Sequence, residues 1–233
     1  MADINSNKYT LGYVVVMTLV VAISLAFMAT ELKPRQQAEE ALEKKKQILN
    51  SVSDIQDKTI VEGEYNKRIK AVVVDAQGKP VDGINAFDID IKKEYRKSAA
   101  ERQLPVYVYT DDKKAKSYII PLHGNGLWDE IWGFVALKND FNTIVGTSFD
   151  HKGETPGLGA EITKEWFQSQ FVGKKLEDGK AYAFDILKGR GNAIDGKVHL
   201  VDGMSGATIT GDGVEDMIEK GYKSYQAYFK TVR

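Results

Sequence analysis

A short segment near the C-terminus combines hydroxyl and small residues in a spacing suited to holding a phosphate group. Residues 202–210 read DGMSGATIT, with hydroxyl groups on Ser205, Thr208 and Thr210. Small residues let a phosphate-bearing ligand approach the backbone closely, and a helix predicted just downstream would offer free N–H groups to an anion. The alternative is an ordinary strand-to-helix turn in which a hydroxyl caps the helix. The segment alone therefore indicates an anion site without establishing one.

Two further segments have the residue types needed to hold a flat, partly apolar ring. Residues 154–159 read ETPGLG, in which Pro156 stiffens the loop, two glycines allow close approach, and Leu158 supplies an apolar surface. Residues 126–128 read GLW, so Trp128 is a candidate to flank such a ring. Each segment also has a simpler interpretation, which stays open. Residues 154–159 could form an ordinary proline–glycine turn, and Trp128 could be a core residue.

The segments at 202–208 and 154–159 together resemble the FMN-binding domain family. In that family an FMN transferase attaches FMN, through its phosphate, to the last hydroxyl residue of the motif Asp-Gly-x-Ser-Gly-Ala-Thr, which is Thr208 here. No base adjoins Thr208 in the sequence, as expected if an external enzyme activates this weak nucleophile. The family's ETPGLG loop lies against the isoalloxazine ring, so the resemblance implies covalent FMN as the cofactor. The matching positions are Asp202, Gly203, Ser205, Gly206, Ala207 and Thr208, together with Glu154, Thr155, Pro156, Gly157, Leu158 and Gly159.

The stretch around Trp128 resembles one particular family of proteins with an FMN-binding domain. It is similar to the GxGLW stretch of the C-subunit family of Na+-translocating NADH:quinone oxidoreductases, and the likeness is strongest over residues 121–213. The resemblance implies a subunit that relays electrons between other cofactors and has no catalytic residues of its own. It also implies other complex subunits, an FMN transferase and the lipid bilayer as partners. The G-subunit of Rnf complexes and a membrane-tethered flavin sensor or binding module are the open alternatives.

A glycine–lysine pattern resembling a nucleotide-binding loop lies shortly before the DGMSGAT segment. Residues 191–198 have the GxxxxGK spacing of a P-loop but lack the Ser or Thr after Lys197 that would bind Mg2+. Nucleotide hydrolysis is therefore not expected. Lys197 is instead a candidate to stabilise the FMN phosphate or the reduced ring, with a solvated lysine as the alternative. The histidines show no ligand spacing, so no metal site is expected.

The elements that position these segments alternate without a regular βαβ pattern. This predicts an α+β domain with a largely antiparallel sheet and flanking helices. The last helix is predicted over residues 213–230, with Asp212 and Glu215 as its capping arrangement. Three tyrosines in this helix are predicted to pack rather than relay electrons. The predicted strands are 69–75, 104–110, 117–121, 131–137, 143–149 and 182–188.

The N-terminal part predicts a membrane anchor. Residues 9–30 carry no charge, and a helix of that length matches the ~30 Å hydrocarbon core of a bilayer. A cleaved signal peptide is the alternative, although no clean A-x-A site precedes Glu31. A second helix over 37–50 is predicted to follow a break at Pro34. The domains are predicted as an N-terminal tail over 1–8, a transmembrane helix over 9–32, a juxtamembrane helix and linker over 33–58, and the FMN-binding domain over 59–233.

The side of the membrane is predicted from two conflicting signals. One basic residue, Lys8, precedes the apolar run, whereas Lys33, Arg35 and the lysines at 44–46 follow it. The positive-inside rule alone would place the larger domain in the cytoplasm. The family resemblance implies the outer, periplasmic face of the cytoplasmic membrane. We expect the periplasmic side, because the charge bias is small and acidic residues are interspersed.

The composition excludes several classes of function. The chain has 233 residues, with 32 Lys plus Arg against 33 Asp plus Glu, and a net charge of -1. A nucleic-acid partner would need a basic face, which this balance does not indicate. There is no cysteine, so zinc–thiolate sites, iron–sulfur clusters and disulfides are all ruled out. A redox function therefore needs a different carrier, either another kind of metal site or an organic cofactor. The absence of cysteine is compatible with an oxidising compartment.

Overall fold

The structure is a computed structural model that describes residues 6–179, 181–192 and 196–233. The chain divides into two compact units, Met1–Lys44 and Lys45–Arg233. The first unit contains most of helix α1, whose bounds are Asn7–Asn50. Among the described residues, α1 is the one helix long and apolar enough to cross a bilayer. Its apolar residues are exposed within the unit, as a membrane anchor requires.

Helix α1 does not break at Pro34, so that prediction is wrong. Pro34 lies inside the helix, where it has no N–H to donate to the preceding turn. Thr30, whose carbonyl loses its partner, is exposed, and the strong helix formers of residues 37–50 sustain the helix beyond it. The predicted tail over 1–8 lies mostly outside the described residues, and the helix already begins at Asn7.

The second unit begins within α1 rather than at residue 59. Ile48 and Leu49 are fully buried, because this last part of α1 packs into the larger unit. Helix α2 (Lys58–Arg68) follows, and the Asp57 side chain caps it by accepting from the Thr59 backbone N–H at 2.9 Å. Residues 45–58, predicted as part of a linker, therefore belong to the compact unit.

A five-stranded antiparallel sheet forms the centre of the second unit. Its strands follow one another in chain order, so that every neighbouring pair is antiparallel. Helices and short 3-10 turns lie around it, which confirms the predicted α+β class. The strands are β1 (Ile69–Val74), β2 (Leu104–Thr110), β3 (Lys116–Asn125), β4 (Glu130–Leu137) and β5 (Ile144–His151).

Shorter elements connect the sheet to the C-terminal part. Strands β6 and β7 form a two-stranded antiparallel ribbon, and strands β8 and β9 form a parallel pair. Short helices precede β2 and follow β5. These elements are α3 (Ile91–Arg96), a 3-10 turn (Ala99–Glu101), a 3-10 turn (Gly159–Thr163), α4 (Glu165–Gln168), a 3-10 turn (Ser169–Phe171), β6 (Glu177–Asp178), β7 (Ala181–Tyr182), β8 (Asp185–Leu187) and β9 (Leu200–Asp202).

Helix α5 (Thr208–Val232) packs across β3 and starts earlier than predicted. The expected start at Gly213 is wrong, and Asp212 is an exposed helical residue rather than the cap. Gly213 lies inside the helix. A side chain at this position would overlap the carbonyl of Asn125, so only glycine lets the helix pack this closely. The consequence is that Thr208 is the first residue of a long, well-packed helix.

Aromatic side chains fix α5 on the sheet. The Tyr222 hydroxyl donates to the carbonyl of Phe141, and the Tyr225 hydroxyl donates to the carbonyl of Pro105, both at 2.9 Å. The rings of Phe141 and Phe229 stack with centroids 4.8 Å apart. Burial raises the pKa of Tyr222 to about 12, so its hydroxyl keeps its proton. The tyrosines of this helix are buried, and so the packing interpretation is confirmed.

Candidate functional site

Thr208 lies at the end of a tight connection from β9 to α5. The Gly203 backbone N–H donates to the carbonyl of Leu187 at 2.8 Å, and a side chain at Gly203 would overlap that carbonyl. Gly206 has a φ of 77°, a left-handed conformation that glycine adopts without strain. Thr208 itself is half-buried. The glycines of the DGMSGAT segment thus allow the chain to turn sharply and present the Thr208 hydroxyl at the helix start.

The start of α5 retains N–H groups that no side chain caps. The residue before the helix, Ala207, has no capping group, and no acidic residue lies in the first turn of this fully described segment. The first backbone N–H groups of any helix lack intrahelical partners and carry the positive end of the helix dipole. A phosphate joined to Thr208 would therefore meet suitable donors, so these residues fit the phosphate end of FMN.

Glu154 connects three segments of the candidate site. Its carboxylate accepts one hydrogen bond from the Trp128 backbone N–H at 2.9 Å and another from the Thr210 hydroxyl at 2.7 Å. The side chain is only 4% exposed. Side chains at Gly126 or Gly159 would overlap this carboxylate. The structure therefore brings the GLW, ETPGLG and DGMSGAT segments together around a single buried acid.

The ETPGLG loop is a compact turn. The Thr155 carbonyl accepts from the backbone N–H groups of Leu158 at 3.1 Å and Ala160 at 3.2 Å. Pro156 and Gly157 are exposed at its tip, and Gly157 has a φ of 77°. A side chain at Gly206 would lie 3.1 Å from Leu158 Cδ2. The turn therefore meets the DGMSGAT segment directly beside the start of α5.

Large apolar side chains are exposed around this junction. Trp128 is 69% exposed, which excludes the alternative that it is a core residue. Leu127 precedes it, Leu158 belongs to the neighbouring loop, and Ile209 follows Thr208, and all three are exposed as well. An isolated exposed apolar residue needs no explanation, but several from different segments indicate a binding surface. This surface fits the flat, largely apolar ring of a flavin.

Asp202 holds a neighbouring loop rather than pointing to an open ligand position. Its two carboxylate oxygens accept from the backbone N–H groups of Gly191 and Asn192, at 2.8 and 2.7 Å. The Gln170 side chain bonds to both backbone groups of Asp202. Sequence reasoning grouped Asp202 with the flavin motif, and it could not find Gln170, which lies on a distant 3-10 turn. These bonds shape the loop beside the motif, and the assignment of Asp202 to the FMN site stays a prediction.

A second group of side chains, which could not be found from the sequence, also holds this loop. The Arg190 guanidinium lies 3.6 Å from the centroid of the Trp166 ring, in a cation–π arrangement. The Trp166 indole N–H donates to Glu161 at 2.7 Å, and Arg190 forms an ion pair with the same carboxylate at 3.7 Å. No spacing in the sequence joins these three residues, because the loop and the helix that carry them meet only in the fold.

The structure gives Lys197 no described contact with the site. The residue is exposed, and its carbonyl accepts from the Lys174 ammonium at 3.0 Å. Residues 193–195 of the P-loop-like pattern lie outside the described part of the chain. The assignment of Lys197 to the flavin phosphate or ring therefore stays a prediction.

A cavity of about 660 Å³ lies next to the first turns of α5, within the size range of ligand sites. Acidic residues of α5 and β8 line much of it, including Asp185, Asp212 and Glu215. Burial raises the pKa of Glu215 to about 6, and its carboxylate accepts from the Ile186 backbone N–H at 2.9 Å. These carboxylates make the cavity unsuited to a phosphate. The acidic lining therefore gives no reason to place the phosphate end of a ligand in this cavity.

Comparisons with known proteins agree with this geometry. Residues 126–223 match the FMN-binding domain family, and this region includes all three segments that meet at Glu154. The C-subunit of the Na(+)-translocating NADH-quinone reductase from Haemophilus ducreyi is 35% identical, covering 99% of this chain and 98% of the relative. The C-subunit from Neisseria meningitidis is 37% identical, covering 98% of this chain and 96% of the relative.

Solved structures show the same fold. The crystal structure of the C-subunit from Parabacteroides distasonis has a TM-score of 0.76 and 38% identity, covering 85% of this chain and 96% of that one. NqrC of Shewanella oneidensis has a TM-score of 0.75 and 30% identity, covering 84% and 98%. Fold and site therefore define a protein with an FMN-binding domain behind a single apolar helix. Within that class, the chain belongs to the C-subunit family of the Na+-translocating NADH-quinone reductases.

Proposed function

We propose that this chain carries FMN esterified to Thr208 and relays electrons within a Na+-translocating NADH:quinone oxidoreductase. The observation that carries the proposal is the pair of hydrogen bonds through which Glu154 joins Trp128 to Thr210, two residues beyond Thr208. These bonds bring the ring-binding and phosphate-binding segments to one place. The full-length relatives bear the name of the Na+-translocating complex, and no observation favours the Rnf alternative over it.

The chain's own residues bind and orient the cofactor at two ends. The uncapped N–H groups of α5 stabilise the phosphate, and Gly206 keeps the approach to Thr208 open. Trp128 and Leu158 provide apolar contact for the ring and shield part of it from water. Bound FMN supplies reversible electron transfer, while the protein supplies position and electrostatics. Since the apolar side chains are exposed, a ring held there is reachable by a neighbouring protein of the complex.

The esterification needs an external enzyme because the nearby polar side chains are already engaged. Glu154 accepts from two donors, and His151 Nδ1 accepts from the Glu154 backbone N–H at 3.2 Å. Asp202 accepts from two backbone N–H groups. None of these hydrogen bonds, all within the described part of the chain, involves Thr208, and a threonine hydroxyl is a weak nucleophile without activation. An FMN transferase therefore supplies the base or metal in our proposal.

The anchor and its sidedness complete the proposal. Residues 9–32 of α1 span the cytoplasmic membrane, which raises the local concentration of the flavin domain near the other proteins of the complex. The flavin domain lies on the periplasmic side, in agreement with the absence of cysteine. Protease added to intact spheroplasts is expected to cleave the larger domain. Protection until the membrane is permeabilised would contradict the periplasmic assignment.

The decisive experiment is intact mass spectrometry of the full chain produced with the FMN transferase and exported. The expected gain is the mass of one FMN less one water, about 438 Da by formula arithmetic. Thr208→Val keeps the side-chain volume but removes the hydroxyl, and it is expected to abolish the gain. Thr210→Val and Ser205→Ala are the matched controls, because each removes a nearby hydroxyl that is not the proposed acceptor. The same added mass in Thr208→Val would contradict the assignment.

The relay function has its own test in the assembled complex. When NADH is added to the complex that contains the flavinylated chain, the visible absorbance of this flavin is expected to bleach. The complex assembled with Thr208→Val is expected to lose NADH-driven quinone reduction while the other subunits remain present. Full quinone reduction by that complex would show that the flavin on this chain does not lie on the electron path.

A further inference from the structure

A second cavity lies between α3, the end of β3 and α5, and it shares Asn125, Gly213 and Asp216 with the cavity beside the first turns of α5. It has a volume of about 730 Å³ and is lined along α5 from Gly213 to Ala227. Five cationic side chains line it, against two carboxylates, Glu130 and Asp216. This excess is local, because the whole chain has a net charge of -1. We call this cavity the basic pocket; its cationic residues are Lys92, Arg96, Arg102, Lys220 and Lys223.

The carboxylates near the basic pocket are already paired with lysines. Glu130 forms an ion pair with Lys92, and Asp216 forms one with Lys220 at 2.7 Å. Lys223 pairs with Glu219, which lies outside the pocket lining, at 2.6 Å. Among residues 6–179, 181–192 and 196–233, no carboxylate pairs with either of the two arginines. The arginines therefore provide the positive charge that is available to a ligand.

Arg102 is held in place without being neutralised. Its terminal nitrogens donate to the Ser224 hydroxyl and to the Tyr95 carbonyl, both at 3.3 Å, and the guanidinium lies 5.3 Å from the centroid of the Tyr95 ring. Arg102 Nε and the Tyr95 hydroxyl are buried and have no hydrogen-bond partner in the described part of the chain. Burial raises the pKa of the Tyr95 phenol, so its hydroxyl remains a donor. An unpaired buried donor is costly, so both residues would gain from an acceptor oxygen brought to this wall of the pocket.

We propose that the basic pocket binds a phosphate group, carried by a small phosphorylated metabolite or by a lipid headgroup. The arginine fork matches the geometry of phosphate oxygens, and a fixed guanidinium loses little freedom on binding. The volume fits a small organic ligand better than a bare ion. Leu104 and Met217 provide apolar contact for its carbon part. None of the residues that line the basic pocket is among those assigned to FMN, and the proposal does not depend on the identity of the redox complex.

The test uses the full flavinylated chain in nanodiscs, so that the FMN position is already filled. In phosphatidylcholine nanodiscs, glycerol 3-phosphate is titrated by calorimetry, and in a second arm phosphatidic acid is built into the nanodiscs. We expect saturable binding in one arm, weaker at high salt because exposed charges are screened. Arg96→Gln is expected to weaken binding by about tenfold. Lys113→Gln, which removes one charge on an exposed turn outside the pocket, is expected to leave it unchanged.

The outcomes separate the sources of the phosphate. Binding of glycerol 3-phosphate in neutral nanodiscs supports a soluble metabolite, whereas a response only to phosphatidic acid supports a lipid headgroup. Arg102→Lys keeps the charge but loses the fork, and it is expected to weaken either kind of binding. Absence of saturable binding in both arms would overturn the proposal. Equal affinities of wild type, Arg96→Gln and Arg102→Lys would also overturn it, because the ligand would then bind elsewhere.

Discussion

Glu154 accepts a hydrogen bond from the Thr210 hydroxyl at 2.7 Å, between residues 56 positions apart in the sequence. The bond fixes the first turn of α5 against the loop that follows β5. A buried acceptor that satisfies two donors is expensive to remove, because each unpaired group keeps its full desolvation cost. The geometry of the flavin site therefore depends on this contact more than on any exposed residue of the motif.

Replacement of Glu154 separates hydrogen bonding from charge. Glu154→Ala leaves the Trp128 N–H and the Thr210 hydroxyl unpaired, and is expected to lower the free energy of unfolding by about 3 kcal/mol. Glu154→Gln still accepts from Trp128 and donates to Thr210 after the hydroxyl rotates, so a loss below about 1 kcal/mol is expected. Chemical unfolding followed by circular dichroism measures both. Equal losses in the two variants would show that the charge itself, and not the hydrogen bonds, stabilises the site.

The two threonines of α5 are expected to respond in opposite ways to valine. Thr210→Val leaves one oxygen of Glu154 unpaired, so it is expected to reduce stability by about 1–3 kcal/mol while the flavin is still attached. Thr208→Val is expected to lose the flavin with little change in the stability of the unmodified chain. Thermal melts and in-gel flavin fluorescence measure the two effects. A flavin-free Thr210→Val that is fully stable would contradict the division of roles.

Two glycines with the same φ test the contact between loops. Gly157→Ala introduces left-handed strain alone, because nothing lies within 4 Å of the added methyl group, and about 1 kcal/mol of destabilisation is expected. Gly206→Ala adds the same strain and also pushes against Leu158 Cδ2. A shift in the visible flavin absorbance is therefore expected only for Gly206→Ala. The same spectrum in both variants would place Leu158 away from the ring.

Asp202 is expected to control the mobility of the loop after β8. Asp202→Asn can accept with one oxygen only, whereas the carboxylate accepts from both Gly191 and Asn192. The amide hydrogens of these two residues are expected to exchange at least tenfold faster, about 1.4 kcal/mol of lost protection. Hydrogen exchange followed by NMR checks this. Unchanged exchange at both amides would mean that other contacts hold the loop.

Glu215 introduces a pH dependence of stability. Burial raises its pKa from the ordinary 4.5 to about 6 in the folded chain, so the ionised form is disfavoured by folding. Stability is therefore lost as the pH rises from 4.5 to 6 and stays lower above that range. Glu215→Gln keeps an acceptor for the Ile186 N–H and is expected to melt at a higher temperature than wild type above pH 6, with a smaller difference near pH 4.5. Parallel pH profiles of the melting temperature would contradict this.

The segments that form the site could be predicted from the sequence, but the contacts between these segments could not. The residue types of DGMSGAT, ETPGLG and GLW indicate an anion and a ring. The lack of a regular βαβ pattern predicts the antiparallel sheet. The double acceptor role of Glu154 could not be predicted, because it depends on three segments meeting in space. The loop contacts of Arg190 with Trp166 and of Gln170 with Asp202 were invisible for the same reason.

Two errors have physical causes that recur. The sequence predicts the start of α5 at Gly213 because Asp212 and Glu215 have the spacing of a capping arrangement. In the structure Glu215 instead accepts from the Ile186 N–H, and the helix begins at Thr208. The break at Pro34 was predicted from local sterics alone. The basic pocket could not be predicted at all, since its cationic side chains come from α3, from Arg102 before β2 and from α5, which are distant parts of the chain.

The placement of Thr208 on the last helix has a consequence for the order of biogenesis. α5 docks on β3 and β4, whose residues lie far upstream, so its contacts have high sequence separation and close long loops at an entropic cost. The Thr208 hydroxyl, which is the proposed acceptor, is therefore correctly presented only after the 25 residues of α5 have been synthesised and have docked on the sheet. Truncated or incompletely folded chains would present no proper acceptor to the modifying enzyme. Cofactor attachment would then mark molecules in which α5 has docked on the sheet.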